Sequence, residues 1–265
     1  MHAFEYHRPA STKEALSLSS KNSEGRYLAG GQSLVQAMKL RLSSPSDLID
    51  LGSIKELSGI KASGGTVEIG AMTRHADVAG SKEVQKAIPA LAALAGIIGD
   101  RQVRHMGTIG GALANSDPAA DYPAAALGLG ATIVTHKRKI EADKYFKGLF
   151  ETALEAGELI TSVSFPVPKR AAYMKFKNPA SRFALVGVFV ADFGGQVRVA
   201  VTGAGPCVFR QAEMEKALAA KFAPESVANI KVKADGLNND LHASPEYRAH
   251  LITVMAKRAV EAATK

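Results

Sequence analysis

Leu28-Ala29-Gly30-Gly31-Gln32-Ser33-Leu34 and, about eighty residues later, Met106-Gly107-Thr108-Ile109-Gly110-Gly111-Ala112-Leu113-Ala114-Asn115 are the two stretches whose reading decides the fold. The first follows Arg26-Tyr27-Leu28, which reads as a strand, and precedes Leu34, Met38 and Leu42 at helical spacing. It therefore reads as a tight turn between a strand and a helix. Paired glycines permit unusual dihedrals, and without a Cβ they let a ligand approach the backbone closely. Successive N–H groups in such a turn make an anion-binding nest. Ser33 adds a hydroxyl, and the following helix adds its positive end. The combination suits a diphosphate, although a plain glycine turn capped by Ser33 has the same residues. The second stretch again sets paired glycines beside a hydroxyl residue, Thr108. Two such nests can close on one diphosphate from opposite sides.

Working outward, three blocks appear. Ser11 to Ser20 reads as a helix, with Ser11 and Glu14 as a capping box. With the first glycine turn and a strand at Asp47 to Leu51, it forms a small α/β unit ending near Ile54. The second block holds strands at Thr66–Gly70, Ala131–Thr135 and Leu159–Pro166, and an Ala/Leu/Ile helix from Pro89 to Gly99. The second glycine motif lies inside this block, which runs to about Pro168. The third block reads as a three-stranded antiparallel meander over 172–176, 184–193 and 196–202, with Gly194-Gly195 as its hairpin turn. Helices over Arg210–Phe222 and Pro245–Ala263 follow it. In the last helix Leu251, Val254, Met255 and Ala259 form an apolar stripe, Ser244 is the N-cap and Pro245 the first residue. The class is α+β, with Pro166-Val167-Pro168-Lys169-Arg170 joining residues 1–168 (subdomains 1–54 and 55–168) to residues 169–265.

Composition narrows the function. In 265 residues there is one cysteine, Cys207, so this chain alone can hold neither a disulfide framework nor a four-cysteine iron–sulfur cluster. The seven histidines include no pair at metal-ligand spacing on a helix, and no metal site is expected. The net charge of +8 comes from dispersed Lys and Arg; with no Trp and few aromatics, nucleic acid is not expected as a partner. The densest basic run, Lys137-Arg138-Lys139, reads as a solvated face. The longest apolar stretch, Ile88 to Gly99, is about half the length a membrane span needs. The first residues lack a secretory pattern, and the expected location is cytoplasmic. There is no G-x-x-x-x-G-K-S/T motif. Val201-Thr202-Gly203-Ala204-Gly205-Pro206 begins like a dinucleotide fingerprint but has Val208 at its third glycine position. No nucleophile or acid–base constellation is present, so no catalytic residue is assigned. His105 reads as structural and Cys207 as a small buried residue.

The two glycine motifs, in this order and spacing, resemble the flavin signatures of the FAD-binding medium subunits of molybdenum hydroxylases. These are the carbon monoxide dehydrogenase and xanthine dehydrogenase type. Phe4-Glu5-Tyr6-His7-Arg8-Pro9, Asp100 with Gln102-Val103-Arg104, Asp117-Pro118, Asp121 and Pro166-Val167-Pro168 extend the likeness over nearly the whole chain. The resemblance implies a two-part FAD-binding domain of the vanillyl-alcohol-oxidase (PCMH) type followed by a C-terminal α+β domain. It implies that Leu28, Ala29, Gly30, Gly31, Gln32, Ser33 and Leu34 hold the diphosphate together with Thr108, Gly110 and Gly111. Ile98, Val103, Ala114, Asn115, Asp121, Ile160, Lys175 and Phe183 are the further cofactor contacts it implies. In this sequence Ala112 stands where the family often has Asn, and Phe183 where a tyrosine lies near the isoalloxazine.

The implied partners are a small iron–sulfur subunit and a large molybdopterin subunit, in a dimer of heterotrimers, with NAD or a quinone as external electron acceptor. The chain would pass electrons through FAD bound without a covalent link. A self-contained flavin oxidase and a non-enzymatic basic binding module are the alternatives. If the resemblance is set aside, Lys175 reads as a solvated strand lysine and Asp121 as the cap of the next helix.

Overall fold

The structure is a computed structural model that describes residues 1–265. The first unit is β1 (Glu5–His7), α1 (Thr12–Lys21), β2 (Arg26–Leu28), α2 (Leu34–Lys39) and β3 (Asp47–Asp50), with a parallel sheet in the order β1-β3-β2. Ser11 caps α1 through the Glu14 amide, as the sequence predicts. The return contact differs: the Glu14 carboxylate accepts from the Ala10 amide, one residue earlier. Helix α2 is only six residues long, and Leu42 lies beyond it, 79% exposed. The expected Leu34–Met38–Leu42 stripe therefore reduces to Met38, which alone of the three is buried.

The second unit begins with β4 (Ile60–Ser63) and β5 (Thr66–Gly70), then α3 (His75–Gly80), α4 (Lys82–Ala87), α5 (Pro89–Gly96) and α6 (Arg101–Met106). Next come α7 (Ile109–Asn115), α8 (Tyr122–Gly128), β6 (Thr132–Thr135), β7 (Lys139–Glu141), α9 (Ala142–Tyr145), β8 (Phe146–Gly148), β9 (Glu151–Thr152) and β10 (Ile160–Pro166). Its sheet is antiparallel, in the order β4-β5-β10-β6-β7. Ala90, Leu91, Ala92, Leu94 and Ala95 of α5 are buried, as its apolar sequence requires. The expected solvated run at Lys137–Lys139 is partly tied down: Lys137 pairs with Glu155 at 2.9 Å and Arg138 with Glu158 at 2.9 Å.

The third unit is β11 (Arg170–Lys177), β12 (Ala184–Asp192), β13 (Val197–Thr202), β14 (Phe209–Arg210), α10 (Ala212–Ala220), α11 (Glu225–Ala228) and α12 (Pro245–Ala263). The sheet has four antiparallel strands rather than three, because Phe209–Arg210 pairs with Ala200–Val201. Two residues are too few to show a period in the sequence. Gly194 and Gly195 have φ of +88° and +125°, the hairpin conformation that glycine allows. All nine residues of β12 are buried. Phe189 and Ala191 join a core shared with α5 and α8, while Val186, Val188 and Val190 join a second core under α10 and α12. Alternate residues of a strand point to opposite faces, so β12 is covered on both sides. Helix α8 is the keel between the units: a Cβ on Gly128 would lie 2.9 Å from the Phe189 ring. Arg198 donates to the Leu127 carbonyl, and Thr202 to the carbonyls of Pro118 and Ala120.

Candidate functional site

A cleft of about 570 Å³ opens where the first unit, the second unit and the loop between β11 and β12 meet. Both glycine motifs line it, but they are built differently. None of the backbone N–H groups from Ala29 to Leu34 reaches a protein acceptor. The chain there turns with Gly31 at φ +70°, so successive amides present themselves as a nest. With its amide turned so that the nitrogen faces the turn, Gln36 donates to the carbonyls of Gly31 (2.7 Å) and Gln32 (3.1 Å) on its opposite edge. Gly30 is required by close approach: a Cβ there would lie 2.1 Å from the Met106 carbonyl oxygen. The two motifs are therefore in backbone contact through Gly30 and Met106-Gly107.

The second motif is not a turn of free donors, as its glycines suggest. It is the N-terminus of α7. Thr108 is the N-cap and accepts from the Gly111 amide at 3.2 Å. The Ile109 amide donates to Thr73, the Gly110 amide to Ala71 and the Ala112 amide to Thr108. Gly110 and Gly111 have no positive φ. Gly110 is small because a Cβ would lie 2.5 Å from the Ala71 Cβ. Gly111 lines the cleft; a Cβ there would stand 3.0 Å from the Thr108 Oγ1 and 3.4 Å from the Ala29 Cβ.

Of the residues expected at the cofactor, all line the cleft except Leu28 and Lys175. Leu28 is the last residue of β2, paired with Asp50, and delivers the chain to the nest. Lys175 is not a solvated strand lysine. Its ammonium pairs with Asp121 at 3.0 Å, both side chains being almost fully buried, and also donates to the Ile97 carbonyl. Asp121 stands at the N-cap position of α8, but its side chain makes no capping bond; its other oxygen accepts from the Tyr173 hydroxyl at 2.6 Å. Burial pushes the Asp121 carboxyl up, against the opposing charge of Lys175. The pair fixes one wall of the cleft from the third unit. His105, expected as structural, is exposed beside Arg74, and Cys207 is half-buried.

The structure adds lining residues that had no motif around them: Tyr27, His75, Tyr122, Phe150 and Arg182. His75 is buried against the Tyr122 ring at 5.2 Å, and burial, then Arg104, pulls its pKa down to about 4. His75 Nδ1 and the Tyr122 hydroxyl have no hydrogen-bond partner. A lone buried His has no periodic or spacing signature. Tyr122 follows Asp121 directly and could have been reached from it.

A parallel unit and an antiparallel unit joined at a cleft lined by an amide nest define a protein that binds an anionic, phosphate-bearing ligand. Residues 2–168 match the family described as the FAD binding domain in molybdopterin dehydrogenase. The chain is 36% identical to the carbon monoxide dehydrogenase medium chain of Hydrogenophaga pseudoflava, covering 98% of this chain and 96% of that one. It is 36% identical to the glyceraldehyde dehydrogenase medium chain of Sulfolobus acidocaldarius, with 97% and 96% covered. Among solved structures, carbon monoxide dehydrogenase from Hydrogenophaga pseudoflava lacking the Mo-pyranopterin moiety superimposes with a TM-score of 0.90 at 37% identity. That match covers 99% of this chain and 98% of that one. The chain belongs to the FAD-binding medium-subunit family of the molybdopterin dehydrogenases. FAD fits the cleft on chemical grounds: the unpartnered amides of Ala29–Leu34 are donors matched to a diphosphate.

Proposed function

We propose that this chain is the FAD-carrying medium subunit of a molybdenum-dependent dehydrogenase. In this reading it receives electrons from iron–sulfur clusters on a small subunit and passes them to an external acceptor, NAD or a quinone. Substrate oxidation then takes place on a large molybdopterin subunit, and the whole assembles as a dimer of heterotrimers. The observation that carries the reading is the row of amides without acceptors at Ala29–Leu34, set in a cleft that reaches the third unit. The single cysteine adds to it, since cluster ligands must come from another chain.

Bound FAD supplies the redox chemistry, and the chain supplies placement and electrostatics. Ala29 to Leu34 hold the diphosphate through their amides. Thr108 and Gly111 close the opposite side, the glycine by leaving room. Ile98, Val103 and Phe183 face the isoalloxazine where the β11–β12 loop meets α5 and α6. Ala114, Asn115 and Ile160 complete the lining, and Lys175 acts through Asp121. Residues 1–168 act as the cofactor domain and 169–265 as the domain that closes over one end of it.

Two experiments test this. After acid precipitation the flavin should stay in the supernatant, because no histidine or cysteine lies in either motif; flavin in the pellet means a covalent link. In reconstitution, the purified chain alone should oxidise none of a panel of aldehydes, N-heterocycles and carbon monoxide. Adding the small and large chains encoded beside it should restore turnover. Turnover by the lone FAD-loaded chain favours the self-contained oxidase.

A further inference from the structure

A second cavity, of about 790 Å³, shares no residue with the cleft. It is a groove on the third unit, between α12 and the stretch that follows α11. Along residues 230–234 burial alternates: Ile230, Val232 and Ala234 are half-buried, Lys231 and Lys233 exposed. That is the period of a β-strand. Ile230 and Val232 pack on the core under α12. Yet no strand pairs with the segment. Its ends are held, the Ile230 carbonyl by the Thr253 hydroxyl at 2.8 Å and the Ala234 carbonyl by the Leu237 amide. Between them the amides of Lys231, Val232, Lys233 and Ala234 reach no protein acceptor, and the carbonyls of Lys231, Val232 and Lys233 accept from no protein donor. The result is a fixed stretch of chain with strand-like alternation and an open backbone edge.

The other wall of the groove is the outer face of α12, lined from Glu246 to Glu261. At the helical rise this is roughly 22 Å, the length of about six or seven residues of extended chain. Charge is distributed unevenly along it. Glu246 and Glu261 stand at the two ends, and Glu261 is paired with Lys257 at 3.9 Å. The middle is basic, with Lys231 on one wall and His250, Lys257 and Arg258 on the other. Lys231, Lys233 and Arg258 belong to none of the ion pairs of the third unit. An exposed edge that carries lysines resists pairing with its own copy, because like charges then stand opposite each other. The same lysines favour an added strand that carries carboxylates. Strand addition supplies main-chain hydrogen bonds for affinity and places alternate side chains for specificity.

We propose that residues 231–234 take up an extended acidic segment of a partner chain as an added strand. Its apolar side chains lie on Val232 and Val254, and its carboxylates face Lys231 and Lys233. The site does not depend on which cofactor the cleft holds. Three peptides test it on the full-length chain: Val-Glu-Val-Glu-Val-Glu-Val, its counterpart with Lys for Glu, and Val-Glu-Pro-Glu-Pro-Glu-Val. The last keeps the charge and lacks the central N–H donors. The first should bind at least about ten-fold more tightly than the other two and should slow amide hydrogen exchange within 231–234. Both lysines are exposed, so the double variant Lys231→Glu with Lys233→Glu should keep the parent's melting temperature. It should lose about ten-fold or more in affinity for the acidic peptide and accept the lysine peptide in its place. Equal binding of the proline peptide, or binding that leaves exchange at 231–234 unchanged, reduces the groove to a basic surface and overturns strand addition. No binding of the acidic peptide up to about 1 mM overturns the site outright. Self-association of the parent in sedimentation, lost in the double variant, makes a second copy the occupant and overturns the acidic partner strand.

Discussion

The two glycine motifs look alike as sequences and do opposite things with their backbones. Ala29–Leu34 leaves a row of amides without acceptors; Thr108–Ala112 satisfies its own with Thr73, Ala71 and the Thr108 cap. The first motif is therefore a donor surface and the second a scaffold that places it, through the Gly30–Met106 contact. A glycine pair thus reports close approach in general. Whether it reports anion binding depends on where the neighbouring N–H groups end up.

If the second motif is scaffold, its variants should cost stability first. Gly110→Val puts side-chain atoms into Ala71 and must push α7 off the end of β5. We expect a loss of about 3 kcal/mol or more in chemical unfolding, with FAD lost as a consequence. Gly111→Val, one residue along, has ordinary helical dihedrals and faces the cleft. It should unfold within about 1 kcal/mol of the parent while excluding FAD. Equal destabilisation by the two variants would erase the distinction between the buried and the cleft-facing glycine.

The floor of the second motif also carries a pH signature. His75 packs under Gly107, where a Cβ would lie 2.5 Å from its Nε2. Its folded pKa is near 4, against an ordinary value of 6.5. Above pH 6.5 the ring is neutral in both states and its contribution is complete. As pH falls from 6.5 to 4 the unfolded chain takes up a proton that the folded chain refuses, so stability falls, by about 3 kcal/mol. Urea midpoints measured across that window should show this limb in the parent, and His75→Gln should flatten it. A parent with no acid limb above pH 4 would place His75 in a wetter setting.

The first motif should respond in affinity more than in stability. Gly31→Ala forces a Cβ into the left-handed region, costing about 1 kcal/mol, and turns the amide row away from its ligand. Titration of the apo chain should show FAD weakened about ten-fold or more. The smallest effect is expected from Thr108→Val. It removes one cap, worth about 1 kcal/mol, and one hydroxyl at the cleft. Its FAD affinity should fall less than that of Gly31→Ala. The reverse order would make the second motif the principal donor surface.

Much of this was legible before any coordinates. The caps of α1 and α12, the hairpin at Gly194-Gly195 and the strand-to-helix turn at Gly30-Gly31 follow from local chemistry within four or five residues. So did most of the cleft lining, because the motifs and their family likeness name those positions. What stayed hidden has a common cause. The strands β1, β4 and β14 are two to four residues long, too short for a period to register. Lys175 and Asp121 are separated by 54 residues, and nothing local distinguishes a buried lysine on a strand from a wet one.

The sequence alone determined the elements whose cause is local: turn chemistry, capping and the apolar runs of α5 and β12. It also determined that this chain by itself holds no four-cysteine cluster, because one cysteine cannot supply four ligands. Only the tertiary structure decided which amides are free, that α8 joins two units into one core, and that His75, Tyr122 and Phe150 meet at one cleft. Those facts depend on where distant carbonyls, rings and charges come to rest. A backbone donor is a binding group only when no other part of the chain has reached it first.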